Sequence, residues 1–170
     1  MDFLELVNKR YSVRAYKPDP IEDEKLNHIF DIVRLAPTAA NRQPFQVIVI
    51  HTAGREDELK HIYHRDWFVT APVIICICTQ PSKAWVRGLD GKNYSDVDAG
   101  IIMDHLVLAA TELGLGSCWV AAFNPEQARQ ILHLPDGVTP LLFASLGYPA
   151  DHPEQKERKP ISELIHYENW

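Results

Sequence analysis

Residues Phe45–Thr52 read FQVIVIHT, and residues Ala71–Gln80 read APVIICICTQ. Both runs are short, β-branched and apolar on both faces, so each is predicted to be a buried strand. Such strands need layers of other elements around them, and the neighbouring sequence supplies helices. Upstream, IEDEKLNHIFDIVRLA carries acids in its first turn, and Leu26, Ile29, Phe30 and Val33 follow the spacing of one helical face. Pro37 ends that helix. Between the two runs, REDELKHIYHRDW reads as a polar helix. Downstream, Ser95 followed by Asp98 resembles a capping box, opening a long apolar helix that Gly114 and Gly116 stop. SCWVAAF gives a third strand and TPLLFASLGY a fourth, separated by a helix that Asn124 caps with Pro125 at its first position. Asp2 is placed to cap a first helix with Phe3, Leu6 and Val7 on one side. Helices interleaved with about four strands predict an α/β or α+β layered domain, with strand order left open.

A chain of 170 residues that is 46% hydrophobic suits one domain with a real core. Its net charge of −6 argues against a general nucleic-acid or anionic-membrane surface, because binding such polyanions rests on many basic contacts. Cys76, Cys78 and Cys118 make an odd count without CxxC, which fits a reducing cytosol. With no leader-like N-terminus and no apolar run near the ~20 residues of a spanning helix, a soluble cytoplasmic protein is expected. GxGxxG, GxxxxGK[ST] and a serine nucleophile elbow are all missing. His61 and His64, with Asp57 a turn away, suit a polar helix surface better than a metal site.

Three segments carry the chemical signal. In RYSVRAYKPDP, Arg10, Ser12 and Arg14 alternate, so an extended backbone puts them on one face, with Tyr11, Val13 and Ala15 on the other. Arginine forks match phosphate or carboxylate oxygens in pairs. In PTAANRQPFQVIVI, two prolines bracket Thr38, Asn41, Arg42 and Gln43, whose amides and hydroxyl suit a polyol or heteroaromatic ring. In KERKP, Lys156, Arg158 and Lys159 stand together. Two basic clusters and one amide-rich loop fit a phosphorylated polyol carrying a flat ring.

These segments resemble the flavin-dependent nitroreductase family. RYSVRAYKPDPI is similar to its phosphate-binding opening, LAPTAANRQPFQVIVI to its flavin-contacting loop, ELGLGSCWVAAF to its flavin-edge strand, and ASLGYP with KERKP to its closing strand and tail. The resemblance implies an α+β fold, a three-layer α/β/α sandwich around a mixed, mainly antiparallel sheet. Residues 1–150 would form the FMN-binding domain, and residues 151–170 a C-terminal arm embracing the partner of a homodimer. FMN would lie at the interface, with NAD(P)H as donor and a ping-pong hydride transfer to nitroaromatic, quinone or similar flat acceptors. By matching position, Arg10, Tyr11, Ser12, Arg14, Lys156 and Arg158 would serve the phosphate, ribityl and pyrimidine side. Pro37, Thr38, Ala39, Asn41 and Gln43 would come from the other subunit, with Ala39 limited to a backbone contact. Ala121 and Ala122 would approach the reactive ring by their backbone. The loop PSKAWVRGLDGKNYS, with Trp85, Lys92 and Tyr94, is the candidate roof of the acceptor pocket, read either as a mobile cover around Gly88 and Gly91 or as a surface turn with Trp85 tucked into the core. The alternatives are an FMN-binding sensor or carrier without turnover, or an enzyme of the same fold with other flavin chemistry.

Overall fold

The computed structural model describes residues 1–154 and 156–170. In chain order the elements are α1 (Phe3–Lys9), α2 (Asp23–Val33), β1 (Phe45–His51), α3 (Glu56–Ile62), α4 (Asp66–Thr70) and β2 (Val73–Thr79). Then follow α5 (Ser95–Glu112), β3 (Gly116–Val120), α6 (Pro125–Ile131), β4 (Thr139–Gly147) and α7 (Ile161–Leu164). The strands form one four-stranded sheet in the order β1-β2-β4-β3, antiparallel at every pairing. The parallel component is confined to the isolated bridge between Ser12 and Ser117. The fold is thus α+β, with helices on both faces of an open sheet.

Alternation along β2 divides the core in two. Val73, Ile75 and Ile77 join a cluster with Leu26 and Ile29 of α2 and Ile102, Met103 and Leu106 of α5. Ile74, Cys76 and Cys78 face the other way, toward Leu59 and Ile62 of α3, Phe68 of α4 and Phe143 of β4. All of β2 is buried, as its apolar run predicts.

Several sequence readings need correction. β1 is not buried on both faces: among the described residues it is an edge strand, paired with β2 alone, and Val49 is partly exposed. The polar helix is broken in two, because α3 ends at Ile62 and α4 begins at Asp66, leaving His64 outside both. Asp2 and Glu5 do form a capping box on α1, yet none of its residues is buried, and Phe3, Leu4 and Val7 face outward. The box expected on α5 is absent. Ser95 N–H is capped by Asn93 Oδ1, and Asp98 turns inward to the loop before β1. Asn124 caps α6 as read, accepting from the Gln127 N–H.

Candidate functional site

The segment Arg10–Lys17 docks along the β3 edge of the sheet. Val13 N–H donates to Ser117 O, and Lys17 N–H to Tyr148 O. Val13 is the buried anchor, and Gly116 lets it in: a Cβ on Gly116 would stand 2.5 Å from Val13 Cγ2. The Tyr16 hydroxyl donates to Val13 O and pairs with Ser145 Oγ. With Val13 turned inward, Ser12 and Arg14 are left on the outer side, in keeping with the alternation.

Asp151, which the sequence reading overlooked, fastens this segment from outside. Its Oδ2 accepts from the Arg14 N–H at 2.8 Å, and its Oδ1 and backbone carbonyl accept from the Tyr11 hydroxyl. Burial, then the bond to Asp151 and its charge, push the Tyr11 phenol up, so it remains a neutral donor. Tyr11 is therefore first a brace. Nothing in PADHP marks Asp151 over any other loop acid; only the fold brings it back to residue 14.

A cleft of about 550 Å³ opens beside this segment, lined by Arg10, Tyr11, Ser12, Glu154, Lys156 and Arg158 among others. A second hollow of about 200 Å³ shares Tyr11, Ser12, Glu154 and Lys156 and adds Arg14, Asp151 and His152. The two predicted basic clusters, far apart in sequence, thus meet. Lys156 Nζ is paired with Glu154 at 3.0 Å. Among the described residues, Arg10, Arg14 and Arg158 have no carboxylate within ion-pair distance. The Arg14 guanidinium lies 5.8 Å from the ring centre of Trp67. Below them, burial pushes the Cys118 thiol up against the opposing pull of Arg14 and the Ser12 hydroxyl, so it is an inert packing residue. Three guanidiniums without a carboxylate partner among the described residues thus lie around one hydroxyl, a local positive concentration, in a chain of net charge −6, whose chemistry suits an anion.

The amide-rich loop lies elsewhere. It leads directly into β1, at the opposite edge of the sheet from the arginines. Three strand spacings separate the two edges, roughly 14 Å. Within one chain, Pro37, Thr38, Ala39, Asn41 and Gln43 are therefore not joined to the anion cleft. The loop is strained and internally braced. Ala40, Asn41 and Gln43 all have positive φ, near 50°, at a cost of about 1 kcal/mol or more for each ordinary side chain. Thr38 Oγ1 accepts from the Gln43 N–H, and the Gln43 amide donates to Asn41 O and Oδ1. The Ala39 N–H is already given to Asp98, which narrows even the backbone contact expected there.

Ala121 and Ala122 follow β3 directly and are exposed, leaving their backbone approachable. The segment around Trp85 and Tyr94 is a braced hairpin rather than a slack loop. Val86 bridges Asn93, Arg87 binds Asp90 and the Tyr94 hydroxyl, and the Asn93 amide donates to Pro81 O. Trp85 and Tyr94 meet edge to face at 5.0 Å, with Arg87 and Lys92 over the Tyr94 ring. Tyr94 occupies the N-cap position of α5 and its carbonyl accepts from the Asp98 N–H, so hairpin and amide-rich loop share one end of the fold.

The comparisons with known proteins agree with this architecture. The nitroreductase family model matches residues 7–64 and 60–148. The FMN reductase (NAD(P)H) of Bacillus subtilis strain 168 is 30% identical over 175 residues, covering 94% of this chain and 70% of that protein. The crystal structure of a nitroreductase family protein from Clostridium difficile 630 superposes with a TM-score of 0.91 at 41% identity, over 100% of both chains. A nitroreductase family protein from Clostridium novyi NT gives a TM-score of 0.79 at 29% identity, over 92% of this chain and 89% of its own.

Proposed function

The chain belongs to the nitroreductase family, and on that premise we propose that it is an NAD(P)H-dependent oxidoreductase that works through bound FMN in a homodimer. The observation that carries the reading is the pair of adjoining hollows around Ser12, where Arg10 and Arg158 line the larger and Arg14 the smaller, none with a carboxylate partner among the described residues. Its donor set fits a phosphate monoester, and its size falls in the range of small-molecule sites, roughly 300–1,000 Å³. Arg10, Ser12 and Arg158 hold the phosphate, with Lys156 joining once it leaves Glu154. Arg14 meets the pyrimidine edge, where its fixed charge favours the reduced, more negative ring electrostatically. FMN, when bound, supplies hydride-transfer chemistry between NAD(P)H and a flat oxidised acceptor such as a nitroaromatic or quinone, the two reactants using one site in turn.

The placement of the amide-rich loop and the arginines at opposite sheet edges supports a site assembled from two subunits. Pro37, Thr38, Asn41 and Gln43 of one chain line the ring and ribityl side of the cofactor held by the other. The backbone of Ala121 and Ala122 borders the reactive ring without blocking it. Trp85 and Tyr94 form a firm aromatic wall for the acceptor. Exposed Phe3, Leu4 and Val7 of α1, with Trp119 of β3, offer apolar surface for the partner. No helix among the described residues is long and apolar enough to cross a membrane.

Purification and turnover test the reading. The protein is expected to be yellow, to release FMN rather than FAD on denaturation, and to oxidise NADH or NADPH with a nitroaromatic or quinone far faster than free FMN does. A colourless protein that FMN cannot reconstitute would overturn the cofactor assignment. A yellow protein no faster than free flavin across the acceptor panel would be a carrier or sensor.

A further inference from the structure

The strained loop before β1 needs an anchor, and its own braces cannot supply one. The bonds from Thr38 to Gln43 and from Gln43 to Asn41 lie within the loop and move with it. Left-handed backbone at Ala40, Asn41 and Gln43 persists only where the surroundings over-determine it. The loop's far end is held where the Gln80 N–H donates to Pro44 O; on its near side, ahead of the strained residues, the tie to the core is the Ala39 N–H, which donates to Asp98 Oδ1 at 2.8 Å.

Asp98 is 1% exposed and sits in the first turn of α5, one turn before buried Ile102. The positive end of that 18-residue helix favours its carboxylate. Among the described residues its second oxygen, Oδ2, is buried without a hydrogen-bond partner, and no cation pairs with it. A carboxylate is a costly filler for such a position; an apolar side chain of similar size packs there more cheaply. What the apolar residue forfeits is the bond to Ala39. Asp98 also donates its backbone N–H to Tyr94 O, at the base of the aromatic hairpin. One residue therefore joins the loop to the hairpin.

We propose that Asp98 is a positioning residue: it holds the strained Ala39–Gln43 loop in the shape that receives the flavin's ring and ribityl side, without touching the cofactor itself. This rests on the reading that the loop lines bound FMN, and the experiment separates the two. In the apo-protein, hydrogen exchange followed by NMR should show the Ala39 amide strongly protected and the neighbouring Ala40 amide, which has no acceptor among the described residues, exchanging fast. In Asp98→Ala the Ala39 protection should vanish while the Ile102 and Leu106 amides of α5 stay protected. FMN and riboflavin should both bind about ten- to a hundredfold more weakly to that variant, since the loss is independent of the phosphate. Asp98→Asn, whose amide oxygen still accepts, should restore both the protection and the affinity. Equal, fast exchange at Ala39 and Ala40 in the wild-type apo-protein overturns the proposal, and that measurement needs no variant. Wild-type flavin affinity in folded Asp98→Ala overturns it too. A wild-type protein that binds neither flavin overturns the flavin reading instead, while the Ala39 exchange still decides whether Asp98 anchors the loop.

Discussion

Arg10 and Arg14 carry the same charge but meet different neighbours, and this makes them separable. Arg10 leaves the end of α1, where its N–H donates to Leu6 O, and lines the larger cleft with Lys156 and Arg158. Arg14 has its N–H held by Asp151 and its guanidinium near Trp67, in the smaller hollow. Replacing either with alanine should weaken FMN binding by about ten- to a hundredfold, the worth of a charge-assisted hydrogen bond. The loss at Arg10 should fade when riboflavin replaces FMN, because its proposed partner is the phosphate. The loss at Arg14 should persist and should be accompanied by a lower reduction potential, since a positive charge favouring the reduced ring is gone. Flavin titration and potentiometry read the two effects, and equal, phosphate-independent losses at both positions would refute the division of roles.

Among the elements, the contact between β3 and the Arg10–Lys17 segment matters most to the site. Gly116 and Val13 meet so closely that an added methyl would stand 2.5, 2.9 and 3.0 Å from three side-chain atoms of Val13. Valine is stiff at χ1 and cannot swing aside cheaply. Gly116→Ala should therefore cost about 1–3 kcal/mol of stability through overpacking and, by pushing out the residue between Ser12 and Arg14, weaken FMN as well. Thermal unfolding and FMN titration would show both losses together; an alanine tolerated without either would mean the segment can dock in more than one way. The hairpin at Trp85–Tyr94 teaches the converse lesson. Two glycines and a polar composition suggest a mobile cover; Arg87 braces it internally through Asp90 and Tyr94, and the Asn93 amide joins its base to Pro81 O, contacts that no periodicity announces.

For the molecule as a whole, the tail is the surface that the proposed dimer would use. Ile161, Leu164, Ile165, Tyr167 and Trp170 all face outward, and α7 buries none of its residues. An apolar tail that does not fold onto its own domain suits a second copy, and each bound FMN then stabilises the assembled state by mass action. Deleting residues 159–170 keeps Asp151, Lys156 and Arg158 but removes this surface. Sedimentation should show the full-length protein as a dimer, tightened by FMN, and the truncated one as monomer or aggregate with little flavin. A truncated protein that stays dimeric and yellow would show that the tail contributes nothing to either.

Local pattern was enough for much of this protein. The all-apolar run of β2 announces a strand covered on both faces, the Asn124-Pro125 pair announces the start of α6, and alternation announces that Val13 turns inward while Ser12 and Arg14 do not. Each follows from side-chain direction or local hydrogen bonding, which act over a few residues. The meeting of Arg10 and Arg158 in one cleft, the reach of Asp151 to residue 14, and the separation of the amide-rich loop from the arginines depend on strand order, which no short-range pattern encodes. Asp98 stands between these cases. It shares the four-residue spacing of buried Ile102 and Leu106, a legible sign that it points inward. Its partner, the Ala39 amide 59 residues away, exists only once α5 lies across the sheet and brings the two together.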